Sequence, residues 1–159
     1  VNLFVNDPDD GKSFETVYSP KMEVLQFHGE LGYMRGEEFS FKSGITYNNF
    51  TKIEGQTKAW GLLPFEFNGS LRWKILKDLS VKADVFGWDG AAYRTKGGEA
   101  FKSEKGFDLN AGLEFKVTKG LDLWFQMNNI FNSKYQRWNQ YEVYGFNVLG
   151  GVIFRFNQK

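Results

Sequence analysis

The stretch Leu63-Pro64-Phe65-Glu66-Phe67-Asn68-Gly69-Ser70-Leu71-Arg72-Trp73-Lys74-Ile75 decides the fold. Every second residue is apolar or glycine: Leu63, Phe65, Phe67, Gly69, Leu71, Trp73, Ile75. Glu66, Asn68, Ser70, Arg72 and Lys74 stand between them. A strand sends alternate side chains to opposite faces, so this spacing predicts a β-strand with one greasy and one charged side. A helical period fits neither set.

Six further runs repeat the pattern on either side. Leu25, Phe27, Gly29, Leu31 and Tyr33 alternate with Gln26, His28, Glu30 and Gly32. Phe39, Phe41, Ser43, Ile45 and Tyr47 alternate with Ser40, Lys42, Gly44 and Thr46. Leu79, Val81, Ala83 and Val85 oppose Ser80, Lys82 and Asp84, and Phe107 to Val117 opposes Asp108, Asn110, Glu114 and Lys116. Leu121, Leu123, Phe125 and Met127 oppose Asp122, Gln126 and Asn128, with Trp124 an exception on the polar side. The last run, Phe146 to Phe156, has the least polar second face.

Tight links at Arg35-Gly36-Glu37, Lys77-Asp78 and Thr118-Lys119-Gly120 alternate with long ones over Thr51–Leu62, Tyr93–Gly106 and Ser133–Tyr144. A meander crossing a membrane has this form, with short periplasmic turns and longer outer loops. Near the start, Val1–Asn6 reads as the tail of an upstream strand and Asp7–Ser13 as a turn. Phe14–Tyr18 reads as a short strand that Pro20 breaks. The expectation is therefore one all-β segment over residues 1–159, an antiparallel up-and-down transmembrane β-barrel of about seven to eight strands and part of a larger barrel. Residues 1–20 would form a strand end and outer loop, and residues 21–156 seven long strands.

Composition supports the fine interleaving. The chain carries 17 Phe, 7 Tyr and 5 Trp, yet its mean hydropathy is −0.45. Twenty basic and nineteen acidic residues nearly cancel, which gives no reason to expect a nucleic-acid partner. There are no cysteines, so disulfide frameworks and thiolate metal sites are excluded. No apolar run approaches the roughly 18 residues of a membrane-spanning helix, a test that barrels escape.

The same alternation would suit a soluble lipocalin-like carrier turned inside out. A small barrel interior holds only layers of side chains or one ligand, and the aromatic volume here is hard to house. Facing lipid, those rings need no cavity. The polar residues His28, Glu30, Lys42, Glu66, Arg72, Asp84 and Glu114 would then line a wet lumen. On the lipid side an Arg or Lys would cost about 2–4 kcal/mol at mid-bilayer.

The stretch Asn128-Asn129-Ile130-Phe131-Asn132-Ser133-Lys134-Tyr135-Gln136-Arg137-Trp138 resembles the penultimate strand and following loop of TonB-dependent receptors. Gly151-Val152-Ile153-Phe154-Arg155-Phe156 is similar to the Gly-x-x-aromatic-x-aromatic signal read by the barrel-assembly machinery, with Gly151, Phe154 and Phe156 in the marked places. That signal usually ends on its aromatic, whereas Asn157-Gln158-Lys159 follow here. The aromatic, Asn-rich style resembles receptors of the Bacteroidetes group. The resemblance implies a barrel in the bacterial outer membrane that contacts lipid and binds and imports a solute. It also implies a plug domain and TonB as partners in the full-length protein. The rival reading is a structural or accessory barrel of an outer-membrane assembly without transport.

Other candidates have plainer explanations. His28, the only histidine, is expected near Gly44 with Lys42 and Thr46 diagonal, and no nucleophile with an orienting carboxylate is evident. No enzymatic activity is expected. Asn6-Asp7-Pro8-Asp9-Asp10-Gly11 collects oxygen ligands but misses the calcium-loop spacing, so a turn is expected. No cofactor or metal is called for. Trp60, Trp88, Tyr93, Tyr135, Trp138, Tyr141 and Tyr144 fall in or beside the long connections. They are the candidates for a ligand-stacking mouth, against the plainer role of interface anchors or loop packing.

Overall fold

A computed structural model describes residues 1–156, the side chain of Arg137 excepted; the Asn157-Gln158-Lys159 extension lies outside the described residues. All regular structure is β. In chain order the strands are β1 (Asn2–Asn6), β2 (Phe14–Tyr18), β3 (Met22–Arg35), β4 (Phe39–Ile53), β5 (Phe65–Leu76), β6 (Leu79–Trp88) and β7 (Ala92–Arg94). Then come β8 (Ala100–Lys102), β9 (Gly106–Thr118), β10 (Leu121–Asn128), β11 (Gln136–Trp138), β12 (Tyr141–Glu142) and β13 (Asn147–Phe154).

Seven long strands form one antiparallel sheet in the order β13-β10-β9-β6-β5-β4-β3. Each strand neighbours the next long one along the chain, which makes an up-and-down meander. The remaining six pair as ribbons, β1 with β2, β7 with β8 and β11 with β12. All three ribbons lie at the end of the sheet where the long connections emerge. Val1–Asn6, the expected strand tail, thus has β2 as its partner around the Asp7–Ser13 turn.

Cross-strand register sorts the side chains by polarity. One rank runs Tyr33, Phe41, Leu71, Ala83, Ala111, Met127, Val148. The adjacent rank on the other face includes Lys42, Ser70, Asp84 and Asn110. Because the period of a strand is two, one such register commits the whole face. Trp124 stands on the polar face between Glu114 and Gly151. A side chain on Gly151 would start only 2.7 Å from the Trp124 indole nitrogen, so the glycine makes room for the ring.

Among the described residues no second layer packs on the apolar face of the sheet. Leu31, Phe27 and Phe154 are exposed by 66%, 60% and 64%, on the same face as Leu113 and Val152. The buried apolar cluster lies among the connections instead: Leu3, Val5 and Trp60, flanked by Val17, Ile53, Leu62 and Ala92. The sheet is held by its ladders, and apolar burial operates only at the loop end.

Candidate functional site

The polar face and the connections above it enclose a cavity of about 730 Å³. Its floor is the loop-end part of the sheet, with Glu66 and Asn68 from β5, Phe86 and Trp88 from β6, and Asp108 and Asn110 from β9. Phe4, Asn6 and Phe14 come from the first ribbon, Tyr93 from the second, and Gln136, Trp138 and Asn139 from the last connection.

Local chemistry fixes these walls. Trp88 lies against Gly106 across the β6–β9 ladder, where a Cβ would overlap its ring. Its indole meets Tyr135 edge-on at 4.8 Å, and the Tyr135 hydroxyl donates to Asp108 Oδ2 at 2.7 Å. The second oxygen of Asp108 is buried with no hydrogen-bond partner among the described residues.

The last connection is anchored by two asparagines of the Asn129-Ile130-Phe131-Asn132 stretch. Both adopt left-handed backbone, at φ of 48° and 50°, a conformation asparagine tolerates better than most residues. Buried Asn129 donates through Nδ2 to the Ser133 and Tyr144 carbonyls, and its Oδ1 accepts from Ser133 N. Asn132 Oδ1 accepts from Phe146 N at 2.9 Å. The two side chains tie the beginning of the connection to its end. Its tip is pinned by Asn139 donating to Asn6 Oδ1 and Gln140 donating to the Gly11 carbonyl.

Trp88, Tyr93 and Trp138 reach the cavity. Trp60 does not: it is 2% exposed in the apolar cluster, with its indole N–H donating to Gln56. Tyr141 sits beside Phe14, ring centres 6.0 Å apart, outside the cavity wall. Tyr135, also expected at the mouth, lines the cavity, whereas Tyr144, 91% exposed, does not; the first-ribbon phenylalanines were not singled out from sequence. Phe4 and Phe14 meet residues more than fifty positions away, and no local pattern signals that.

Of the polar candidates, Glu66 lines this cavity, and Arg72 and Glu114 line a second one of about 640 Å³ at the short-turn end. Arg72 Nη2 holds both oxygens of Asp84 at 3.0 and 3.2 Å. Lys42 is paired in register with Ser70. Arg155 bridges Glu114, at 3.7 Å, and the buried Asp122. Phe154 and Phe156 stack on the apolar side, while Gly151 lies under Trp124.

His28 pairs with Thr46, not Gly44. The β3–β4 turn takes three residues, Gly36 to Glu38, so its centre is Glu37, and the register moves by two. His28 Nδ1 lies 2.9 Å from Thr46 Oγ1, and Nε2 lies 3.2 Å from Glu30 Oε1. Hydroxyl, imidazole and carboxylate are therefore adjacent. Thr46 is laddered to β3 on one side and β5 on the other, which leaves its backbone no free donor for an oxyanion.

In the Asp7–Ser13 turn the carboxylates accept from their own backbone. Asp10 takes N–H bonds from Lys12 and Ser13 and the Ser13 hydroxyl. These bonds, chiefly that of Lys12, hold the Asp10 carboxyl down at about 2. Asp89, beyond the end of β6, is also lowered, first by Lys102 donating at 2.6 Å. Among the described residues no cluster of three or more acidic, His or Cys side chains is placed to hold a metal.

No family model matches the sequence, and no curated protein matches it. Solved structures do. The siderophore receptor PiuA from Acinetobacter baumannii matches with a TM-score of 0.69 at 15% identity, over 96% of this chain and 24% of that one. The sheet is built like part of a receptor barrel. A mutant ferric enterobactin receptor, PfeA from Pseudomonas aeruginosa, in complex with enterobactin, matches with a TM-score of 0.59 at 16% identity. That match covers 84% of this chain and 23% of PfeA. The chain thus spans about a quarter of the length of the solved receptors it matches.

Proposed function

We propose that this chain forms part of an outer-membrane barrel of the TonB-dependent-receptor kind, which binds a solute at its loop end and imports it. The supporting observation is the exposed apolar face with its aromatic borders. Near the long connections Phe65, Phe67, Phe107 and Phe131 form a chain of rings 5.5–6.3 Å apart. Near the short turns Tyr33, Phe39 and Trp73 form another, 6.0 and 6.2 Å apart. Between the two rows the face is mainly aliphatic, with Leu31, Leu71 and Leu109 among its members.

From Phe65 to Trp73 the strand runs roughly 27 Å at about 3.4 Å per residue. At a tilt of about 35–45° that is roughly 20 Å of height, near the ~25 Å apolar band of outer-membrane barrels. A soluble carrier would enclose these side chains, yet none is buried, and Leu31, Tyr33, Trp73, Phe107 and Phe131 are exposed. The resemblance of the last two long strands to TonB-dependent receptors, and of the aromatic, Asn-rich style to those of the Bacteroidetes group, supports the same reading, with a plug domain and TonB as partners of the whole protein.

The test is membrane assembly of the full-length protein carrying single aspartates. Phe65→Asp and Leu113→Asp on the apolar face are expected to abolish insertion, measured by outer-membrane fractionation and heat-modifiable migration. Ser70→Asp on the polar face is expected to insert like the parent. Equal outcomes for all three would refute the face assignment. Loss of solute uptake when the plug is removed tests the transport step.

A further inference from the structure

The terminal strand carries an ambiguity that the other long strands do not. Each of β3, β4, β5, β6, β9 and β10 has a charged side chain on its polar face, whereas β13, Asn147–Phe154, has none. Leu149 and Ile153 on its polar side are as apolar as Val148 and Val152 on the other. Where the two faces of a strand look alike, alternation no longer commits the register.

The ring seat does not resolve this. Trp124 stands opposite Gly151, where a side chain would meet the indole. A slip of two residues sets Leu149 or Ile153 under the ring and is blocked. A slip of one that brings Val152 there is blocked as well. The slip that brings Gly150 there is not, because two glycines stand side by side. It would turn the strand over, with Leu149 and Ile153 outward and Val148 and Val152 inward. The last connection is long enough to absorb the residue.

Polar contacts at the two ends separate these registers. At the loop end Asn128 donates to Asn147 Oδ1 at 2.9 Å, and Asn132 Oδ1 accepts from Phe146 N. At the short-turn end Arg155 donates from Nη1 to Asp122 Oδ2, and its Nη2 lies 3.7 Å from Glu114 Oε1. One guanidinium thus joins the end of β13 to β10 and β9. Asp122 is buried, its second oxygen has no hydrogen-bond partner, and Arg155 is its one ion-pair partner, all among the described residues. Turning the strand over would carry Arg155 to the apolar face and leave a buried carboxylate without its cation, which is strongly unfavourable.

We propose that Arg155, through Asp122 and Glu114, is the positioning residue that fixes the register of the terminal strand and so decides which side Phe154 and Phe156 face. The inference goes beyond solute binding, since it concerns how the last strand is seated and holds with or without transport.

The experiment reads register through cysteine pairs in the full-length protein, made otherwise cysteine-free and folded in detergent. Leu123→Cys with Val152→Cys reports the observed pairing. Phe125→Cys with Leu149→Cys reports the slipped one, in which those two positions come opposite each other. In the parent, mild oxidation is expected to cross-link the first pair at least tenfold faster than the second. Arg155→Met is expected to bring the two rates within threefold, while Arg155→Lys, which keeps a cation, retains a preference for the first pair. Adding Gly150→Ala to Arg155→Met fills the alternative seat, and in the observed register its methyl meets nothing nearer than 3.4 Å. That addition is expected to restore the tenfold preference. If Arg155→Met leaves the preference intact, or Gly150→Ala fails to restore it, the proposal is overturned. Should Arg155→Met give no folded protein, heat-modifiable migration of the variant with Gly150→Ala decides. Recovery of folded protein supports register control, and no recovery means that Arg155 only stabilises.

Discussion

At the residue scale, the chemistry concentrates where backbone and side chain compete for the same bonds. Asp10 spends its carboxylate on the N–H groups of Lys12 and Ser13. Its folded value of about 2 lies below the ordinary 3.8. The contribution to the turn is therefore complete above pH 3.8 and lost as pH falls through 2. An NMR titration of the Asp10 carboxyl is expected to show a midpoint near 2, moving only part of the way up to the ordinary aspartate range in Ser13→Ala, because the Lys12 N–H bond, the largest cause, remains. The turn itself was legible from Asp7-Pro8-Asp9-Asp10-Gly11. The roles of Asn129 and Asn132 were not, because both act by joining positions more than ten residues apart in a left-handed backbone that sequence does not announce.

At the element scale, each of the seven long strands was visible because one apolar and one polar face impose a two-residue period, whereas the short strands β7, β8, β11 and β12 fall in segments that read as long links. The hairpin register was less visible. A turn centred on Gly36 or on Glu37 satisfies the same alternation, and only the three-residue closure places His28 against Thr46. Glycines on the polar face are read as gaps in sequence and as ring seats in space. Gly151→Ala is expected to push against the Trp124 indole and cost about 1–3 kcal/mol of overpacking. Gly150→Ala meets nothing nearer than 3.4 Å and should be close to neutral. Urea midpoints of the folded protein in detergent, compared for the two variants, check this. Equal midpoints would mean that Trp124 is not seated on Gly151.

At the scale of the whole molecule, the open sheet exposes one apolar face and gathers its small apolar core under the connections. Purified in detergent, the protein is expected to be monodisperse, and transfer to detergent-free buffer should cause association through that face, measured by light scattering. A monodisperse particle in plain buffer would contradict the lipid-facing assignment. Of the expected mouth aromatics, Trp88, Tyr93, Tyr135 and Trp138 line the cavity, whereas Trp60 is buried, Tyr144 is exposed outside it and Tyr141 lies tilted beside Phe14. All seven look alike in sequence, since an aromatic residue in a long connection carries no mark of which way its ring turns. The sequence by itself determined the seven long strands, their two faces and the alternation of short and long links, because each follows from nearest-neighbour geometry along the chain. Which connections pack together, and hence the cavity they form with the sheet, was decided only by the tertiary structure. Those contacts join residues such as Asn6 and Asn139, whose meeting depends on where the sheet sets down its loops and on nothing local to either.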